Sequence, residues 1–132
     1  MAAEGLFHIA VYTKDVDESI DFYKNLLGFR VDWRSFVDHP TGKIDAAVIS
    51  LNDCVIELVR PVDPSRVAKD AGPVQHIALW VSDLTSMLKE LATKGARFEF
   101  EGIEELPTLL DGVRHAFIYG PSNERIELAE KM

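Results

Sequence analysis

Two histidines and two glutamates recur at matching places in the two halves of the sequence. His8 opens the run His-Ile-Ala-Val-Tyr, and His76 opens His-Ile-Ala-Leu-Trp 68 residues later. Glu57 lies within Ile-Glu-Leu, and Glu127 lies within the same tripeptide 70 residues later. Imidazole and carboxylate groups bind divalent cations such as Ni, Zn, Co or Mn. The repeated pattern predicts that these four residues hold one divalent metal ion.

Each of the four residues, taken alone, has an ordinary structural interpretation. A single histidine in a strand is commonly a hydrogen-bonded core residue, and a single glutamate between aliphatic residues commonly marks the solvated face of a strand. A shared origin of the two halves could also copy these residues without preserving metal binding. The metal interpretation is favoured because both residue types recur together.

Strands are predicted to position these side chains. Alternation in Leu6–Tyr12 and Val74–Val81 sets each histidine on one face with a small alanine and an aromatic residue. In Cys54–Val59 and Arg125–Ala129, an aliphatic residue flanks each glutamate on both sides. The aliphatic side chains are expected to pack under a helix, so each glutamate points to the face that carries the histidines.

Each opening strand is followed by a predicted helix. Asp15 and Asp83 are suited to cap the helix starts, and Gly28 and Gly95 are suited to end the helices. The predicted apolar stripes are Val16, Ile20, Tyr23 and Leu27 in the first helix, and Leu84, Met87 or Leu88, and Leu91 in the second.

The remaining segments complete two βαβββ units. Predicted strands are Phe29–Trp33, Ile44–Leu51, Ala96–Phe100 and Val113–Tyr119, with turns at Asp38–Gly42, Asn52-Asp53 and Gly120–Asn123 and a loop at Glu101–Gly112. Pro61–Pro73 is predicted as a linker or short helix. The fold class is therefore α+β, a single domain over residues 1–132 built of repeats at about 5–62 and 73–130.

Composition limits the possible partners. The chain has 132 residues and a net charge of −8, which disfavours nucleic-acid and anionic membrane surfaces. One cysteine, Cys54, excludes an internal disulfide framework and a multi-cysteine metal site. The first residues lack the pattern of a signal peptide, and no apolar run approaches the ~18 residues of a membrane span. A cytoplasmic protein that binds neither nucleic acid nor membrane is expected.

The sequence resembles the vicinal oxygen chelate superfamily over essentially its whole length. The resemblance is carried by His8-Ile-Ala-Val, Leu27-Gly28-Phe29, Val55–Pro61, His76-Ile-Ala-Leu and Gly120–Leu128. It implies two paired βαβββ modules that form an open half-barrel cleft with a metal inside, and a homodimer. The family's four ligand positions fall on His8, Glu57, His76 and Glu127. A set of two histidines and two glutamates resembles the glyoxalase I and methylmalonyl-CoA epimerase branch.

The resemblance to glyoxalase I implies a lyase or isomerase that converts the hemithioacetal of methylglyoxal and glutathione to S-lactoylglutathione. Proton transfer would proceed through a metal-stabilised enediolate, with Glu127 as the first choice of base and Glu57 as the second. One alternative is an epimerase-like racemase in which Asp45 serves as opposing base. A further alternative is a small-molecule binding or resistance protein that retains the fold.

Four residues are candidates for substrate binding, each with a structural alternative. Tyr12 and Trp80 would line the cavity or belong to the core. Asp45 would serve as the opposing base or be a solvent-facing strand residue. Arg114 would meet an anionic substrate or be a surface arginine.

Overall fold

A computed structural model of the chain describes residues 8–39, 42–66, 76–107 and 112–132. The chain forms two compact units, Met1–Lys69 and Asp70–Met132. In chain order, the elements within the described ranges are β1 (Ile9–Tyr12), α1 (Val16–Leu27), β2 (Arg30–His39), β3 (Gly42–Leu51), β4 (Cys54–Pro61), a 3₁₀ turn (Pro64–Arg66), β5 (Ile77–Trp80), α2 (Leu84–Thr93), β6 (Arg97–Phe98), β7 (Glu104–Leu106), β8 (Val113–Tyr119) and β9 (Arg125–Lys131). Neither helix in these ranges is long and apolar enough to cross a membrane.

The first unit is an open four-stranded sheet in the order β1-β4-β3-β2. β1 runs parallel to β4, and the other neighbours are antiparallel. Ile49, Ile56 and Leu58 are buried on the face that α1 covers. Burial of a large aliphatic side chain contributes about 1.5–3 kcal/mol, so this layer fixes which face of β4 points away from the helix.

The second unit repeats this plan with one strand interrupted. Its sheet has the order β5-β9-β8-β6, and β7 also pairs with β8. β6 pairs with positions 118–119 of β8, and β7 pairs with positions 113–115. These two short strands together take the place that β2 holds in the first unit. The α+β class and two open βαβββ-type modules are confirmed.

The start and end of α1 follow the predicted signals. The Asp15 side chain accepts a hydrogen bond from the Glu18 N–H at 3.0 Å, and Gly28 ends the helix in the left-handed region with φ +79°. The predicted apolar stripe is wrong at one position, since Ile20 is half-buried while Ser19 is fully buried. Ser19 tolerates burial because its hydroxyl lies 2.6 Å from the buried hydroxyl of Thr13.

The second helix has the same kind of cap, since the Asp83 side chain accepts from the Ser86 N–H. Leu84 and Leu91 are buried, whereas Met87 and Leu88 are both half-buried and share the middle of the stripe. Lys94 caps the helix, and Gly95 follows it in the left-handed region with φ +80°.

The strand bounds differ most from the prediction at β2, β3, β6 and β7, and β4 and β9 each continue two residues beyond their predicted ends. β2 continues through Trp33 to His39, and β3 begins at Gly42, because the β2–β3 ladder persists where a turn was expected. β6 has two residues instead of the five predicted. The predicted loop Glu101–Gly112 contains β7, which pairs with β8. The predicted starts of the strands at Leu6 and Val74, and the linker from residue 67, lie outside the described residues.

Candidate metal centre

The two modules set their glutamates in identical register. In the parallel ladders, Glu57 lies opposite Ala10 and Glu127 lies opposite Ala78. Each histidine precedes that alanine by two residues, which puts it on the same face. The ladder thus brings one imidazole and one carboxylate together in each module, as the sequence pattern predicts for each half.

In the first module, His8 Nε2 lies 3.8 Å from Glu57 Oε2. Both side chains are about one-quarter exposed, at 26% and 29%. Ile56 and Leu58 on either side of Glu57 are fully buried on the opposite face. The alternation of β4 therefore directs the carboxylate away from the helix.

In the second module, His76 Nε2 lies 3.3 Å from Glu127 Oε2. The Glu127 side chain is only 13% exposed. Its other oxygen, Oε1, lies 2.6 Å from Nδ1 of His115 on β8. Glu127 is thus held between two imidazoles. The sequence pattern predicts its proximity to His76 but not its contact with His115.

The separation of the donor atoms in the second pair fits a shared divalent cation, and that in the first pair comes close to it. Two ligand atoms that each lie about 2.1 Å from one ion are about 3.0–3.4 Å apart in octahedral or tetrahedral geometry. The His76–Glu127 separation falls in that range, and the His8–Glu57 separation exceeds it by a few tenths of an ångström. Among the described residues, no group of three or more His, Cys, Asp or Glu forms a metal cluster. Each module therefore places one imidazole and one carboxylate within 4 Å of each other.

Tyr12 and Trp80 lie on the same faces as these pairs. They extend the alternation of β1 and β5, and they are 51% and 56% exposed, so neither is a core residue. The Nζ atom of Lys131 lies 5.4 Å from the centre of the Trp80 ring. Both aromatic side chains are therefore open to a ligand on the imidazole-bearing face of their module.

Asp45 lies on the opposite face of its sheet from Glu57. It pairs across the ladder with Arg60, and it accepts hydrogen bonds from the Arg34 guanidinium at 3.0–3.3 Å. Arg34 also contacts Asp17 on α1. Asp45 is 5% exposed, so it is a buried member of an ion-pair cluster and not a solvent-facing strand residue.

Arg114 likewise lies on the helix face of its sheet. Its Nε atom is 3.3 Å from Glu130 Oε2, and its Nη2 donates to Thr85 Oγ1 on α2. The structure therefore does not bring Asp45 or Arg114 to the face that carries the candidate ligands.

A cluster around Glu99 lies on the Glu127 face of the second sheet. Arg125 donates to both carboxylate oxygens of Glu99 at 2.7 and 2.8 Å, and the Tyr119 hydroxyl donates at 2.8 Å. These bonds lower the pKa of Glu99 to about 2 and raise the pKa of Tyr119. The Arg125 guanidinium also lies 3.8 Å from the centre of the Phe117 ring. The two-residue spacing of Arg125 and Glu127 is the sequence signal for this shared face.

The repeat pattern does not single out His115, because the first half of the sequence has no matching histidine. The hairpin register sets Phe117 opposite Glu127 and His115 opposite Ala129, so His115 is a diagonal neighbour of Glu127 on one face. Diagonal neighbours lie within reach of long side chains. Counting back from the turn at Gly120–Asn123 would have identified this contact.

Similar proteins are found among bacterial and eukaryotic sequences. An uncharacterized Bacillus subtilis protein, YwbC, is 30% identical over 98% of this chain and 99% of its own length. A lactoylglutathione lyase of Neisseria meningitidis is 27% identical over 96% of this chain and 90% of its own length. A mitochondrial methylmalonyl-CoA epimerase of Dictyostelium discoideum is 29% identical over 70% of this chain and 58% of its own length.

Solved structures share the fold at lower identity. A glyoxalase family protein from Bacillus cereus superposes with a TM-score of 0.82 at 19% identity, covering 100% of this chain and 97% of that one. The glyoxalase I of Leishmania major gives 0.74 at 22% identity, covering 98% and 88%. The fosfomycin resistance protein FosX of Listeria monocytogenes, solved with Mn(II), gives 0.72 at 15%, covering 99% and 95%.

A sequence profile of one family spans nearly the whole chain. The glyoxalase/bleomycin resistance protein/dioxygenase superfamily profile matches residues 7–130, which include all four candidate ligands. This match agrees with the open βαβββ modules and with the relatives named above. The chain belongs to the glyoxalase/bleomycin resistance protein/dioxygenase superfamily.

Proposed function

We propose that the protein is a metal-dependent isomerase or lyase of the glyoxalase I type. The observation that carries the proposal is the equivalent pairing of His8 with Glu57 and of His76 with Glu127, at one register in two modules. The family match and a lactoylglutathione lyase among the relatives support the choice of reaction. The substrate would be the hemithioacetal of methylglyoxal and glutathione.

One divalent ion would be held by His8, Glu57, His76 and Glu127 together. Its nitrogen and oxygen ligands favour Ni, Zn, Co or Mn. When bound, the ion supplies Lewis acidity that stabilises negative charge on the substrate oxygens next to the reacting carbon. The partly buried setting of the four side chains limits competition by water. A small homodimer, twice 14.8 kDa, is the proposed assembly, which sedimentation equilibrium measures.

The base in this proposal is a carboxylate that moves the proton between neighbouring substrate carbons. Glu127 is the first candidate and Glu57 the second. Tyr12 and Trp80, open on the same faces, would contact the body of the substrate. Asp45 and Arg114 have no substrate role in this proposal, because each is engaged in ion pairs on the helix face.

A methylmalonyl-CoA epimerase-like activity is the second candidate. It is favoured by a relative of that name at 29% identity and by the same requirement for proton transfer beside a carbonyl. The opposing base would then be Glu57, since Asp45 points to the other face. A non-catalytic binding or resistance protein of this fold is the remaining alternative.

A paired assay after metal loading tests these candidates. Chelator-treated protein is loaded separately with Ni²⁺, Zn²⁺, Co²⁺ and Mn²⁺, and S-lactoylglutathione formation is followed by absorbance. In parallel, exchange of the α-proton of methylmalonyl-CoA with deuterium is followed by NMR. We expect the first reaction with at least one ion. If only the deuterium exchange occurs, the epimerase is favoured. If neither reaction occurs with any of the four ions, the enzymatic proposal is rejected.

A further inference from the structure

We propose that His115 is a positioning residue for Glu127. Its imidazole holds one carboxylate oxygen so that the other oxygen stays directed at His76. The inference rests on the proposed metal site and adds a residue outside the four ligands.

The geometry assigns the two oxygens of Glu127 to different imidazoles. Oε1 lies 2.6 Å from His115 Nδ1, and Oε2 lies 3.3 Å from His76 Nε2. A carboxylate only accepts hydrogen bonds, so His115 Nδ1–H donates to Oε1. The shorter contact fixes the rotation of the carboxylate and leaves Oε2 at a distance suited to a shared ion.

The ring of His115 is itself held by packing. The residue is 8% exposed, and its ring lies 5.0 Å from that of Phe117, inclined at 70°. Phe117 also makes an edge contact with His76 at 5.5 Å, and Phe100 lies 6.3 Å from His115. Because its aromatic neighbours restrict the ring, His115 can set the position of Glu127.

At the position that corresponds to His115, the first module carries an alanine, which cannot donate a hydrogen bond from its side chain to Glu57. His115 pairs across the ladder with Ala129, and the corresponding pair in the first module is Ala46 with Val59. Glu57 is accordingly more exposed than Glu127, at 29% against 13%. The Glu127 carboxylate is therefore more restrained by its surroundings than the Glu57 carboxylate.

Three variants at one position test the role of the hydrogen bond. His115→Leu removes the donor and keeps an apolar side chain. In His115→Asn, the side-chain amide nitrogen lies near the position of the histidine Nδ1 and can donate to Glu127. In His115→Gln, the amide nitrogen lies near the position of Nε2 instead. We would measure the dissociation constant of Co²⁺ and the visible absorption spectrum of the Co²⁺ protein. Loss of a hydrogen bond to a ligand typically weakens metal affinity about 10–100-fold.

We expect His115→Leu and His115→Gln to show that weakening and an altered Co²⁺ spectrum, and His115→Asn to restore most of the affinity and the wild-type spectrum. If His115→Leu does not fold, the comparison of Asn with Gln still decides the question. Val113→Ala is the matched control, because Val113 is buried on the same face of β8 but pairs with Lys131 and Leu106. It should lower the unfolding temperature and leave the affinity unchanged.

Wild-type affinity and spectrum in all three His115 variants would overturn the positioning role while leaving the metal site intact. Equal affinities of the Asn and Gln variants would overturn it as well. A wild-type protein that binds no Co²⁺ would instead reject the metal site, and the positioning role with it.

Discussion

Asp45 and Arg114 occupy the same position in the two modules and carry opposite charges. Asp45 lies across the ladder from Arg60, and Arg114 lies across the ladder from Glu130. The side-chain ion pairs measure 3.6 Å and 3.3 Å. Each pair lies on the helix face of its sheet, so the repeat preserves an attraction although both charges are exchanged.

Asp45→Asn should destabilise the protein without altering turnover by the folded fraction. The substitution leaves Arg34 and Arg60 facing a neutral amide at a side chain that is 7% exposed. We expect a loss of about 1–3 kcal/mol in the free energy of unfolding, measured in urea. Asp21→Asn, on an exposed part of α1, should change that free energy by less than about 0.5 kcal/mol. If the variant keeps the wild-type free energy of unfolding but loses turnover, Asp45 has a role in the active site and this prediction is wrong.

Glu127→Gln should abolish turnover and retain part of the metal affinity. The amide keeps one oxygen for an ion but takes up protons far more weakly than a carboxylate. Single-turnover rates and metal content would be measured on the same preparation. Glu57→Gln is the matched comparison in the other module, and Glu127 is the base if its variant loses more rate at equal metal occupancy. A rate in Glu127→Gln equal to that of the wild type would contradict this assignment.

Glu99 should add a component of stability that disappears in acid. Bonds from Arg125 and Tyr119 hold its folded pKa at about 2, below the ordinary value of 4.5. A lowered carboxyl pKa contributes stability that is complete above the unfolded value and is lost as the pH falls toward the folded one. Wild type should thus exceed Glu99→Gln in unfolding free energy at neutral pH, and the difference should shrink between about pH 4.5 and pH 2. A difference independent of pH would contradict the ion-pair interpretation.

Asp15→Ala should weaken α1 and leave the metal site unchanged. The Asp15 side chain accepts the hydrogen bond from the Glu18 N–H, which no helical carbonyl satisfies. Loss of such a cap costs about 1 kcal/mol, and Asp15→Asn should recover most of it. Thermal unfolding of the three proteins checks this. If Asn were as destabilising as Ala, the side-chain oxygen would not be what stabilises the helix start.

Sequence patterns could predict the elements whose signals are local. The cap residue Asp15, the left-handed Gly28 and the extent of β8 follow from turn chemistry and alternation over a few residues. The strand faces that carry Glu57 and Glu127 could also be predicted, because aliphatic neighbours on both sides leave only one face for the carboxylate.

Features that depend on cross-strand register could not be predicted from single segments. Asp45 looked like a free carboxylate because its partners Arg34 and Arg60 lie on two other strands. His115 looked isolated because its partner follows a turn. The length of β2 was underestimated, since the ladder with β3 continues beyond the apolar run that marked the strand.

The central claim is that His8, Glu57, His76 and Glu127 hold one divalent ion. Its most direct test is the stoichiometry and affinity of Co²⁺ binding to chelator-treated wild type and to His8→Ala, Glu57→Ala, His76→Ala and Glu127→Ala, by isothermal titration. We expect one ion per wild-type chain and at least about tenfold weaker binding in each of the four variants. Binding that is unchanged in variants of either module, or absent from the wild type, would contradict it.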